Sequence, residues 1–140
     1  MVQNGGTCRF LFLSNMMEEK GVMVLLKALD QLKYKRIKFE CHFIGAWSDI
    51  SEMEFNAMVN KYKLSDSVIA HGKKYGDEKA RYFFNSDIFV FPTFYHNECF
   101  PLVLLEAMQY SLPIVTTPEG GIVDLVIDGE TGIIVKQKDF

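Results

Sequence analysis

The chain has 140 residues, of which 49% are hydrophobic and 24% charged. That is the balance of one globular domain, and a core of this size buries roughly 68–70% of the unfolded surface. Fifteen basic against eighteen acidic residues leave a net charge of −3, with Lys and Arg scattered along the sequence, so the basic stripe of a nucleic-acid binder is excluded.

Met1 to Gly6 (MVQNGG) has neither the basic start nor the apolar core of a signal peptide, and no apolar run approaches membrane-span length. Cys8, Cys41 and Cys99 are odd in number and lack C-x-x-C spacing, which reads as reduced thiols in a cytoplasmic protein. His42, His71 and His96 show no ligand spacing, so no metal site is expected.

In chain order, Phe10 to Leu13 is a continuous apolar run, the first strand. Val22, Leu25, Leu26, Leu29 and Leu32 then recur at helical spacing, with Glu18 and Glu19 near the helix start, where the dipole favours them. Phe39 to Ile44 is the second strand, and Phe55, Met58, Val59 and Tyr62 mark the next helix. Val68 to Ala70 is a short third strand ended by His71-Gly72. Asp77 to Asn85 is a short helix with Ala80, Phe83 and Phe84 facing inward. Ile88 to Phe91 is the fourth strand, Ile114 to Thr116 the fifth and Ile133 to Val135 the sixth. Strands apolar on both faces, alternating with helices, predict an α/β, Rossmann-like fold: a largely parallel six-stranded sheet with helices on both faces and Ile88 to Phe91 at its centre.

Ligands of such sheets bind outside the carboxyl ends of the strands. There the loops Ser14-Asn15, His71-Gly72, Pro92 to Phe100 and Thr117 to Gly121 converge. Pro101 reads as the first residue of a helix, where its missing N–H removes no helical bond. Leu102, Val103, Leu104, Leu105, Ala107 and Met108 leave this helix almost no polar face, which predicts enclosure by other elements. Glu106 in its middle therefore needs a partner. It either reaches a surface edge and pairs with a lysine, or, with Glu98 ahead of the helix, serves an anionic ligand held at the helix N-terminus.

The segment Glu98-Cys-Phe-Pro-Leu-Val-Leu-Leu-Glu106 resembles the E-x7-E signature of retaining GT-B glycosyltransferases, family 4 or group 1. Ser14 to Gly21 is similar to the family's G-R-L-x-x-x-K-G, with Lys20-Gly21 matching and Ser14-Asn15 standing where Gly and Arg are usual. Loss of the arginine removes a bidentate phosphate clamp. Asp87 to Thr93, Ser111 to Thr117, Gly120 to Asp124 and Asp128 to Val135 extend the resemblance over nearly the whole chain.

The resemblance implies a donor-binding domain, one half of a GT-B fold. Glu98 would lie against the donor sugar and Glu106 would accept hydrogen bonds from the ribose. Lys20 would neutralise the diphosphate, with neutral help from Ser14 and Asn15. Backbone amides of Phe100, Leu102 and Val103 would meet the pyrophosphate, since Pro101 has none to give. Ile69, His71 and Gly72 would flank the nucleobase, and Gly120-Gly121 would let backbone approach the ligand closely. Glu98 and Lys20 are the expected catalytic residues, the donor is a nucleotide sugar, and no metal or other cofactor is required. The acceptor, a glycan or a lipid-linked saccharide, would be held by an N-terminal domain that this sequence lacks, and the parent enzyme would act in the cytoplasm, at most peripherally at the membrane. Residues 1–8 are read as a linker remnant, and residues 9–140 as a donor domain cut short at its C-terminus.

Other classes fit less well. A receiver domain needs acidic residues at the end of its first strand, where this chain has Ser14 and Asn15. A dinucleotide-dependent dehydrogenase needs G-x-G-x-x-G there. A nucleotide-sugar-binding module without transfer activity remains an alternative, because the arginine is missing.

Overall fold

A computed structural model describes residues 6–140. Of the expected linker, residues 1–5 lie outside this range, and Cys8 already belongs to the first strand.

Six strands, β1 (Cys8–Leu13), β2 (Phe39–Ile44), β3 (Val68–Ala70), β4 (Ile88–Phe91), β5 (Ile114–Thr116) and β6 (Gly132–Ile134), form one sheet in the order β3-β2-β1-β4-β5-β6. Every pairing is parallel. Five helices connect them: α1 (Val22–Tyr34), α2 (Glu52–Lys61), α3 (Gly76–Phe84), α4 (Leu102–Gln109) and α5 (Ile122–Leu125). The four-residue α5 follows Gly120-Gly121 and has too few positions to declare a helical period in the sequence.

Register places the helices on both faces. Phe12 is the partner of Phe43, and its neighbour Leu11 is the partner of Phe89, so Phe43 and Phe89 point to opposite faces. Phe43 meets Phe55 of α2 edge-on at 5.0 Å, while Phe89 stacks on Phe83 of α3 at 5.9 Å. The core is continuous across β1, β2 and β4, where Leu11, Phe12, Phe43 and Phe89 are fully buried. Ile88 to Phe91 lies between β1 and β5, the central position its apolar run predicts.

Four local expectations change. The sixth strand runs Gly132–Ile134, one residue ahead of the expected Ile133 to Val135. Phe84 is 79% exposed, because Gly76–Phe84 turns only Phe83 fully inward. Pro101 is the residue before α4, in extended conformation, so Leu102 takes the first helical place. That helix is also less enclosed than its composition suggests: Leu104 and Ala107 are buried, but Leu102 is 67% exposed. Among the described residues no helix is long and apolar enough to cross a membrane.

At the amino-terminal end of the sheet, Asp87 holds β1 to β4. Its carboxylate accepts from the Arg9 backbone N–H at 2.8 Å and from Nε and Nη2 of the guanidinium at 3.1 Å each. These bonds from Arg9 hold the Asp87 carboxyl below the usual aspartate range.

Candidate functional site

The loops at the carboxyl ends of β1, β4 and β5 are tied to one another by backbone. After β1 the chain forms a single 3-10 turn, Glu18–Lys20, that ends on Gly21 at φ 90°. A Cβ on Gly21 would stand 2.2 Å from the Pro92 carbonyl oxygen, so only glycine admits this approach of the two loops. The Phe94 N–H then donates to the Glu19 carbonyl at 2.8 Å. On the other side, Gly120 and Gly121 lie against Glu98 and Cys99. A Cβ at Gly120 would come within 1.4 Å of the Glu98 carbonyl oxygen, and Gly121 N–H donates to Cys99 O at 2.8 Å. The close approach that this glycine pair permits is thus to the loop carrying Glu98.

This framework brings Lys20 and Glu98 into one ion pair, Nζ to Oε2 at 2.6 Å, with only 15% and 8% of the two side chains exposed. They are 78 residues apart in sequence. Lys20 Nζ also sits 4.5 Å from the Tyr95 ring centroid and 5.7 Å from that of Phe91. Thr93, fully buried, lies with its hydroxyl 3.1 Å from Glu98 Oε2 and 3.3 Å from the Glu19 carbonyl. A hydroxyl has one proton to give, and the charged, nearer carboxylate is the stronger acceptor. Thr117 donates to the Thr93 carbonyl from β5's loop. Thr93 and Thr117 are uncharged support residues; their advance signs are their places at the ends of the Asp87 to Thr93 and Ser111 to Thr117 segments, just past β4 and β5.

Glu98 Oε1 has no hydrogen-bond partner among the described residues, and no buried side-chain polar atom there lacks one, so Oε1 is open to a ligand. Lys20 gives one of its three protons to Glu98 and keeps two for another acceptor. Just beyond begins α4, and the amides of Phe100, Leu102 and Val103 have no acceptor among the described residues. Unpaired amides at the positive end of a helix dipole are the kind of donors an anion can use. Phe100 is half exposed beside Gly121.

Glu106 stands apart from this pair. It meets Lys79 of α3 at 2.7 Å, with about a third of each side chain exposed (34% and 29%). That is the lysine partnership its sequence position allows, and it leaves the carboxylate accessible from solvent.

Ser14 is half buried and Asn15 exposed at the end of β1, with Ser14 N–H donating to Ile44 O at 3.0 Å. Ile69, His71 and Gly72 lie at the β3 edge, three strand spacings or about 14 Å from β4. The Ile69 side chain is 46% exposed, and Gly72 (φ 72°) faces open space while its carbonyl accepts from Gly45 N–H at 2.9 Å. His71 is held more firmly than a loop histidine needs to be. Its Nδ1 is 3.1 Å from the Tyr82 hydroxyl, and its Nε2 is 2.7 Å from Nδ1 of His42. One set of neutral tautomers satisfies both bonds: Tyr82 O–H to His71 Nδ1, then His71 Nε2–H to His42 Nδ1. His42 Nε2 then lies 3.8 Å from the Glu40 carboxylate. Burial, then repulsion from His42 and Lys74, pushes His71 below the usual histidine pKa. Among the described residues no group of three or more His, Cys, Asp or Glu could hold a metal ion.

Comparison with known families decides the lineage: the model of the glycosyl transferases group 1 matches residues 3–140. The chain belongs to the group 1 glycosyl transferases. Among curated members of this family, a D-inositol 3-phosphate glycosyltransferase of Arthrobacter sp. (strain FB24) is 31% identical over 93% of the chain, which spans 31% of that protein. The putative colanic acid biosynthesis glycosyltransferase WcaL of Salmonella typhimurium is 28% identical over 96% of the chain and is spanned to 34% of its length. The chain thus spans about a third of the curated relatives it matches. Among solved structures, sucrose-phosphate synthase from Thermosynechococcus elongatus superposes with a TM-score of 0.79 at 25% identity, covering 94% of the chain and 33% of that protein. Anabaena HepE, solved in complex with UDP and glucose, gives 0.82 at 20% identity, over 96% of the chain and 36% of its own. The six-stranded parallel, Rossmann-like sheet is therefore a fold this chain shares with GT-B glycosyltransferases.

Proposed function

We propose that this group 1 glycosyl transferase domain binds a nucleoside-diphosphate sugar across the carboxyl ends of β1, β3, β4 and β5, and is the donor half of a retaining hexosyltransferase. The observation that carries the reading is the buried Lys20–Glu98 pair at the start of α4, with Glu98 Oε1 and two Lys20 protons left over. A diphosphate fits between Lys20 and the free amides of Phe100, Leu102 and Val103. A sugar hydroxyl fits Glu98 Oε1. Departure of the diphosphate builds negative charge where Lys20 and the helix amides already point, which favours the transition state electrostatically. Glu106 takes the ribose, exchanging Lys79 for its hydroxyls, and Ile69 to Gly72 line the base. HepE binds UDP and glucose, and WcaL is named for colanic acid biosynthesis. Both support a sugar nucleotide as donor and a growing glycan or lipid-linked saccharide as acceptor, the acceptor being held by a preceding domain. The reaction needs no metal, and its place is the cytoplasm or the membrane periphery.

The test is calorimetric titration of the chain with UDP, GDP, ADP and their glucose forms, with and without EDTA. The reading expects one nucleoside diphosphate and its sugar to bind at one site, unaffected by EDTA. Binding of none of them would overturn it. A second reading, a binding module without transfer, is favoured by Asn15 in place of arginine. Turnover of the bound sugar nucleotide by a longer protein containing this chain separates the two.

A further inference from the structure

The lysines that look scattered in the sequence converge in space. The carboxyl ends of α1 and α2 lie side by side where the chain enters β2 and β3, at the sheet end opposite the donor loops. Lys33 Nζ donates to the Lys63 carbonyl and joins the two ends. Around them are two adjoining depressions of about 760 and 370 Å³ that share Lys33 and Lys63. Lys33, Lys35, Arg36, Lys38, Lys61 and Lys63 are all exposed, against two carboxylates, Asp30 and Asp66. A local charge of +4 in a chain of net −3 is a strong asymmetry.

Helix dipoles explain part of it, since cations favour helix C-termini. They do not explain the residues in left-handed backbone. Both helices end in the same motif: Ile37 N–H donates to Leu32 O, and Leu64 N–H to Val59 O. The left-handed position within it, normally glycine, is Arg36 (φ 59°) in one and Lys63 (φ 53°) in the other. Beside them Tyr34 is 90% exposed and Ile37 45%.

We propose that this basic end is a docking surface for an anionic lipid bilayer. Exposed Tyr and Ile among lysines match the headgroup boundary, where aromatic and aliphatic groups enter while long cationic side chains reach phosphate. Extended nucleic acid fits less well, because the rest of the chain is net negative and repels a polyanion that runs past the patch. Docking by this end leaves the donor loops facing away from the bilayer, open to a soluble nucleotide sugar. The inference rests on the charge distribution and is independent of the donor-site reading.

The test is flotation of the chain with vesicles of phosphatidylcholine alone or containing 30% phosphatidylglycerol, at low and physiological salt. Binding is expected only to the anionic vesicles and should weaken with salt. The triple variant Lys35→Gln, Lys38→Gln, Lys61→Gln leaves the left-handed positions intact, and folding is verified by circular dichroism. It should lose about fivefold per cation, on the order of a hundredfold in all. Tyr34→Ala should weaken binding at both salt concentrations. No binding to anionic vesicles, equal binding to neutral ones, an unaffected triple variant, or tighter binding to a single-stranded oligonucleotide would each overturn the proposal. Nucleotide titration of the same triple variant reads the donor site separately.

Discussion

Lys20 and Glu98 hold each other at 2.6 Å with both side chains mostly buried, so neither can be removed without leaving the other charged and unpaired. Lys20→Met is expected to destabilise the fold by on the order of 3 kcal/mol. The double variant Lys20→Met, Glu98→Gln should recover much of that loss, and chemical denaturation of the single and double variants measures the coupling. Thr93→Val tests orientation rather than charge. It removes the hydroxyl that bonds Glu98 Oε2 and should cost about 1 kcal/mol of stability. It should also weaken the sugar nucleotide while the bare nucleotide binds as before, which parallel titrations would show. The need of Glu106 for a partner, met by Lys79, was legible in the sequence because a charge interrupts an apolar helix, whereas the pairing of Lys20 with Glu98 across 78 residues showed only in the fold. Thr93 was not legible as a site residue, since a buried hydroxyl has no periodicity and declares itself only through its partner.

At the scale of elements, short runs of apolar residues closed by turn residues set the strand positions, which is why β2, β3, β4 and β5 were readable to the residue. What failed was short or two-faced. Phe84 reads as core because it is a phenylalanine beside Phe83, yet consecutive helical positions are about 100° apart, and only one could face β4. The histidine chain between β2, β3 and α3 was equally hidden, because His42 and His71 are 29 residues apart and meet only through strand pairing. It makes a pH prediction. His71 titrates below its unfolded value, so the unfolded chain takes the proton first as pH falls. The contribution of His71 should be level above about pH 7 and decline once pH drops below about 6.5, the unfolded histidine value. Urea denaturation at pH 8.0 and 5.5 should show a smaller decline in His71→Gln than in wild type. An equal decline in both would mean that other groups set the slope.

For the whole molecule, the two proposals map onto the two ends of the sheet: loops proposed for the donor at the carboxyl end, a basic surface at the other. The convergence of the loops was readable, because strand ends are local signals, and the basic surface was not, because Lys33 and Lys63 approach only when α1 and α2 end together. With orientation of two bound reactants supplying much of the rate of group transfer, the chain by itself should bind donor and show little or no transfer. Incubation with the preferred sugar nucleotide and a saccharide acceptor would check this; substantial turnover would mean the acceptor site lies within these 140 residues. The most direct measurement is a calorimetric comparison of nucleoside diphosphate and nucleotide sugar on wild type, Glu98→Gln and Glu106→Gln, each first shown to fold. Glu106→Gln should weaken both ligands in similar proportion, by about 1.5–3 kcal/mol for a lost charged acceptor. Glu98→Gln should weaken the sugar form relative to the bare nucleoside diphosphate, whose own binding should hold or tighten because Lys20 loses its carboxylate partner. If Glu106→Gln binds the nucleoside diphosphate as wild type does, its pair with Lys79 is structural only, and if Glu98→Gln leaves the sugar nucleotide unchanged, the proposed donor site is contradicted.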